Sequence, residues 1–135
     1  MQPASRHRAR KRVLIAEDEP NIVVSLEFLL EGAGHEVSIA RDGQQAIDMI
    51  RRSSPHLVVL DLMLPRVDGF NVCRFVREDP TLRDIKILML TARGRETEMT
   101  RGLEAGANAY MTKPFATREL LKTVSELLET GPAGD

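Results

Sequence analysis

The chain has 135 residues, 42% of them hydrophobic and 29% charged, with a formal net charge of −1; this suits one globular domain with its own core. No apolar run approaches the roughly 18 residues of a membrane span and no leader-like segment opens the chain, so neither a membrane protein nor a secreted one is expected. The single cysteine, Cys73, cannot form an internal disulfide and points to a reducing cytoplasm.

Arg6, Arg8, Arg10, Lys11 and Arg12 crowd an opening segment that holds no acid. Without them, 14 basic residues face 20 acidic ones and the remainder carries −6, so the domain itself is not expected to bind nucleic acid. Residues 1–12 read as a solvated, disordered basic tail. Val13-Leu14-Ile15-Ala16 is continuously apolar, as a strand buried on both faces should be, and runs into Glu17-Asp18-Glu19. Pro20 suits the first turn of a helix, Ile22, Leu26, Leu29 and Leu30 form its apolar stripe, and Gly34 stops it. Glu36–Ala40 alternates polar and apolar, as an edge strand does. After the Asp42-Gly43 turn, Ala46, Ile47 and Ile50 mark a second helix.

Leu57–Leu60 is a second fully apolar strand, ending at once in Asp61 and followed by Leu62-Met63-Leu64-Pro65. Val72, Cys73 and Val76 mark a third helix opening near Gly69. Ile87–Leu90 is a third buried strand and runs into Thr91. A weak fourth helix lies between Glu96 and Ala105, with Met99 and Leu103 expected to point inward. Ala109-Tyr110-Met111 is a short edge strand, followed by Lys113-Pro114. Leu120, Leu121, Val124, Leu127 and Leu128 mark the last helix, which ends before Gly131-Pro132. Residues 13–129 thus form the domain, and 130–135 a short C-terminal tail.

Apolar runs alternating with helical stretches indicate βα units and a parallel sheet. With runs one, three and four inside and two and five at the edges, the strand order is 2-1-3-4-5. This is the flavodoxin-like α/β arrangement, with helices on both faces.

In such a sheet, ligands bind beyond the carboxyl ends of the strands where the order reverses, here between strands one and three. Glu17, Asp18 and Asp61 meet at that point, a hard oxygen set suited to Mg2+. Thr91 ends the neighbouring strand and can hydrogen-bond an anion, while Lys113 can reach in as a mobile positive charge. Taken singly, each has a structural alternative. The three acids can cap the following helix, Thr91 can be a turn residue, Lys113 a solvated surface lysine, and Tyr110 an ordinary half-buried aromatic. Their convergence at one end of one sheet is what points to chemistry.

The motifs LIAEDEP, VVLDLMLPRVDGF, ILMLTA and AYMTKPF, in this order over about Val13 to Leu128, resemble the receiver domain of two-component response regulators, the CheY-like family. The resemblance implies that Asp61 is the phosphoacceptor and that Asp18, Asp61 and the backbone carbonyl of Met63 bind magnesium, with Glu17 acting through a water. It further implies that Thr91 and Lys113 contact phosphoryl oxygens, that Lys113–Pro114 is cis, and that Tyr110 is a switch residue answering Thr91. The implied partners are a histidine kinase or histidine phosphotransfer protein upstream and an unidentified protein downstream, engaged through the surface of the fourth and fifth strands and helices. No membrane partner is implied, and a homodimer through the fourth helix, fifth strand and fifth helix is left open.

The implied chemistry is limited to the domain's own phosphoryl transfer and autodephosphorylation, so the chain is not expected to be an enzyme in the usual sense. Met63 offers no polar group to orient a water, and Arg93 is bulky beside the site, so slow hydrolysis is expected. Two departures stand out. Glu17 occupies a position where aspartate is commoner, and Asn108-Ala109 replaces the Asp-Asp seen in many receivers joined to winged-helix domains. The chain reads as a stand-alone receiver, the alternatives being a fragment of a larger transcriptional regulator or a phosphorylation-independent adaptor. A haloacid-dehalogenase-type phosphatase would need an aspartate at Met63, and a flavin carrier would not place Glu17-Asp18-Glu19 where the flavin phosphate binds.

Overall fold

The computed structural model describes residues 10–92 and 98–129. Five parallel strands, β1 (Arg12–Ala16), β2 (Glu36–Ala40), β3 (Leu57–Asp61), β4 (Lys86–Ala92) and β5 (Ala109–Lys113), form one sheet in the order β2-β1-β3-β4-β5. Five helices connect and follow them: α1 (Pro20–Gly32), α2 (Gly43–Ser53), α3 (Gly69–Glu78), α4 (Met99–Ala105) and α5 (Thr117–Glu129). The expected strand order and fold class are those found.

The apolar runs explain the layering. Successive strand residues face opposite sides, and here both sides are covered. Leu14, Val58, Leu60, Ile87 and Met89 join a core with α2 and α3, while Val13, Ile15, Leu57, Val59, Leu88 and Leu90 join a second core with α1 and α5. β3 is buried along its whole length, whereas β2 alternates exposed and half-buried positions up to the buried Ala40. Each fully buried Leu or Ile of this kind contributes about 1.5–3 kcal/mol. The central strands therefore hold their carboxyl ends rigidly, which is where the functional side chains sit.

Local signals set the helix ends. Asp42 caps α2 by accepting the Gln45 N–H at 2.8 Å, and Asp68 caps α3 by accepting the Asn71 N–H at 3.0 Å. Gly34, at φ +96°, follows α1 in the left-handed conformation that terminates helices. Gly43 and Gly69 are needed for close approach. A Cβ on Gly43 would collide with the Val67 carbonyl oxygen, and one on Gly69 would lie 2.6 Å from that of Asp61.

Three expectations need correction. Arg12 belongs to β1, its N–H donating to His56 Nδ1 at 3.0 Å and its guanidinium to the carbonyls of Ser53 and Ser54. Val23 joins Leu26 and Leu30 as a buried residue of α1. On α4, Met99 and Leu103 are exposed, at 38% and 45%, and the buried residue is Gly102. The helix sits so close to the sheet that a Cβ on Gly102 would lie 2.9 Å from Met89 Sδ, so a glycine rather than an apolar side chain makes the contact. The expected tails at residues 1–9 and 130–135, the Glu96 start of α4, and Arg93 lie outside the described residues.

Candidate functional site

β1 and β3 are neighbours, with Ala16 paired in register with Leu60, so the residues that follow them, Glu17 and Asp61, emerge side by side. Asp18 joins them: one ligand oxygen from each of Glu17, Asp18 and Asp61 lies within 4.8 Å of the others. Glu17 and Asp61 are buried and Asp18 is exposed. The set thus has two fixed carboxylates at its base and one at its mouth. Asp61 Oδ1 accepts the Met63 N–H at 3.1 Å, which orients the carboxylate and holds the β3–α3 turn.

Lys113 is brought in by β5. Its Nζ lies 3.2 Å from Glu17 Oε1, 3.0 Å from Glu19 Oε1 and 3.5 Å from Asp61 Oδ1. Its side chain is 11% exposed. Burial acts to lower its pKa, but the hydrogen bond to Glu19 and the charges of Asp61 and Glu17 outweigh this and raise it. Glu17 moves to about 7, chiefly because it is buried and secondly because Asp61 repels its charge. Lys113 alone therefore leaves these acids short of positive charge. That deficit, in an all-oxygen donor set, fits a hard divalent cation.

Glu17 is also an organiser of the β1–α1 loop. Its Oε2 accepts the N–H groups of Asp18 and Glu19, both at 3.1 Å. The helix-capping alternative for the acids does not hold for Glu19, which occupies the N-cap position of α1 without a side-chain cap hydrogen bond. Its carboxylate goes to Lys113 instead. Glu19 was not foreseen as a partner of Lys113; its place inside the EDEP run was the available signal.

Thr91 is fully buried near the end of β4, and among the described residues its hydroxyl has no hydrogen-bond partner. A buried polar atom without a partner costs about 1–3 kcal/mol, so this hydroxyl stands ready for an acceptor. Tyr110, on β5 opposite Met89, is half-buried and packs against the core beneath α4. The Lys113–Pro114 peptide bond is cis. Cys73 is a buried core residue, and His35 and His56 lie before β2 and β3, at the other end of the sheet from the acids.

Residues 13–125 match the response regulator receiver domain. The chain belongs to that family. This receiver domain is 42% identical over 118 residues to the alkaline phosphatase synthesis transcriptional regulatory protein PhoP of Bacillus subtilis, covering 87% of this chain and 48% of that protein. It therefore spans about half the length of that relative. Among solved structures, a response regulator from Chloroflexus aurantiacus superposes with a TM-score of 0.86 at 38% identity, over 90% of this chain and 99% of that one. The receiver domain of the sensor histidine kinase PA1611 from Pseudomonas aeruginosa, solved with a magnesium ion coordinated in its active-site cleft, gives 0.83 at 30% identity, over 90% of this chain and all of that one. No described helix is long and apolar enough to cross a membrane.

Proposed function

We propose that this receiver domain is a magnesium-dependent phosphoryl-accepting switch, with Asp61 as the acceptor. The observation that carries the reading is the buried Asp61 carboxylate lying within 4.8 Å of Glu17 and Asp18 and 3.5 Å from Lys113 Nζ. Asp18, Asp61 and the Met63 carbonyl would hold the ion, with Glu17 reaching it through water. Bound there, magnesium supplies the positive charge that lets an anionic nucleophile meet an anionic phosphoryl group.

The chain's own residues supply position. A carboxylate oxygen of Asp61 attacks phosphorus while the donor's phosphorus–nitrogen bond breaks, and the electron pair stays on the donor imidazole, which takes up a proton. The Met63 N–H fixes the carboxylate, the Lys113 ammonium meets the phosphoryl oxygens, and the buried Thr91 hydroxyl donates to one of them. Such transfers depend on alignment and charge neutralisation more than on covalent help. The donor is a histidine kinase or histidine phosphotransfer protein. Phosphorylation then shifts β4, α4 and Tyr110 and alters the surface offered to a downstream protein. Beyond its own phosphoryl transfer and autodephosphorylation, the domain turns over no substrate.

Incubation with magnesium and a small acyl phosphate should add one phosphoryl group by mass. Asp61→Asn should abolish the addition, and chelation of the metal should suppress it. An unmodified wild-type protein under these conditions overturns the reading and favours a phosphorylation-independent adaptor. A second reading, in which this domain works within a longer transcriptional regulator, is favoured by its spanning 48% of PhoP. The size of the native gene product tests it.

A further inference from the structure

The Lys113 ammonium is shared unequally. It donates hydrogen bonds to two glutamates, to Glu17 Oε1 at 3.2 Å and to Glu19 Oε1 at 3.0 Å, while Asp61 Oδ1 stands farther off at 3.5 Å, an ion-pair distance. The proposed acceptor therefore has the loosest hold on the cation that is to serve it.

The two glutamates are fixed by different means. Glu17 is buried, and its other oxygen accepts two loop N–H groups, so its place is set by the β1–α1 turn. The Glu19 side chain is 61% exposed, but its backbone is pinned at both ends. Its N–H donates to Glu17 Oε2 at 3.1 Å and its carbonyl accepts the Val23 N–H at 3.0 Å. At an N-cap, a side-chain oxygen ordinarily accepts an N–H of the first helical turn. Glu19 occupies that position in α1 and makes no such bond. Its carboxylate is turned instead to a lysine 94 residues away in the chain. Length matters here, because an aspartate at this position is one methylene shorter and is itself a favoured cap.

We propose that Glu19 is a positioning residue for Lys113, a resting counter-ion that latches the ammonium away from Asp61 and so slows its engagement with an incoming phosphoryl group. The effect on phosphoryl transfer rests on the phosphoryl-acceptor reading; the latch does not. Such a latch retards transfer without blocking it. Water competes for the exposed partner of an ion pair and salt screens it, so the hold is weak. A lysine ammonium is a point charge on a flexible stem, and it passes between neighbouring acceptors without backbone movement.

Two measurements on the full chain test this. The first is NMR of the free protein, reading scalar couplings across hydrogen bonds from Lys113 Nζ to carboxylate carbons. Wild type should show couplings to Glu17 Cδ and Glu19 Cδ and none to Asp61 Cγ. Glu19→Gln keeps the reach and removes the charge, whereas Glu19→Asp keeps the charge and loses the reach. Both should bring a coupling to Asp61 Cγ into view. The second is the rate of Asp61 labelling by acetyl phosphate at saturating magnesium. Both variants should label about twofold to fivefold faster than wild type, the span of an exposed ion pair. A wild type without the Glu19 coupling, or variants that gain none to Asp61, overturns the latch. Faster labelling in Glu19→Gln with Glu19→Asp at the wild-type rate also overturns it, since charge alone then accounts for the effect. A wild type that takes no label counts against the phosphoryl-acceptor reading, and the couplings by themselves then uphold or overturn the latch.

Discussion

Asp61 is the residue on which most depends, and it was legible because a lone carboxylate ending a buried apolar strand is costly without a cation. Glu17, Asp18 and Lys113 were legible for a related reason, since each ends a strand or follows one within two residues and a parallel sheet gathers such positions at one end. Arg77, which donates from the last turn of α3 to the Gly106 and Ile85 carbonyls, was not. Its partners are mostly backbone carbonyls, which leave no trace in sequence, and an arginine in a helix's last turn looks like ordinary dipole complementation. His56 gives a prediction at this scale. Its pKa is lowered by burial and then by Arg12 and Lys11, and its Nδ1 accepts the Arg12 N–H, so the neutral ring is the form the fold favours. With the folded pKa below the unfolded value of about 6.5, its contribution to stability is complete above that value and is lost as pH falls through the folded pKa. Glu17, held near 7 in the fold, takes up a proton over the same range and acts in the opposite direction, so the comparison between variants reads His56: on acidification from pH 7 to 5 the urea midpoint of His56→Asn, which keeps an acceptor, should rise relative to that of wild type.

Among elements, the strands were predicted best, because burial on both faces forces continuous apolar runs at β1, β3 and β4. α4 was predicted worst in detail. Periodicity assigns large apolar residues to the inner face, but the helix lies so near Met89 that only Gly102 fits there, leaving Met99 and Leu103 outside. The same close-approach logic makes Gly69 testable. A methyl group there meets the Asp61 carbonyl and the Leu62 Cα, neither of which can yield without moving the site. Gly69→Ala should cost about 1–3 kcal/mol in urea unfolding and slow acyl-phosphate labelling of Asp61. Gly32→Ala, with nothing within 4 Å of the new methyl, should instead be neutral or stabilising by up to about 1 kcal/mol.

At the scale of the whole molecule, the sheet concentrates uncompensated negative charge at one end, and folding brings Glu17 and Asp61 together against their mutual repulsion. Under the proposed reading magnesium should stabilise the fold, by about 2.7 kcal/mol at a concentration one hundred times its Kd. Thermal unfolding with and without the ion checks this. Asp61→Asn should melt above wild type without metal, since it relieves the repulsion, and should lose most of the metal-dependent gain. An equal magnesium shift in both proteins would place the ion elsewhere.

The three-way grip of Lys113 on Glu17, Glu19 and Asp61 has one more implication. A phosphoryl group on Asp61 offers the ammonium a denser counter-charge than the 61%-exposed Glu19 carboxylate can. Under the proposed reading, Lys113 turning toward it would set Glu19 loose at the rim, and the doorway would grow more negative just as the pocket fills. A spent donor would leave past a wall that now repels the next anion, so a single ammonium would both seat the cargo and discourage a second delivery.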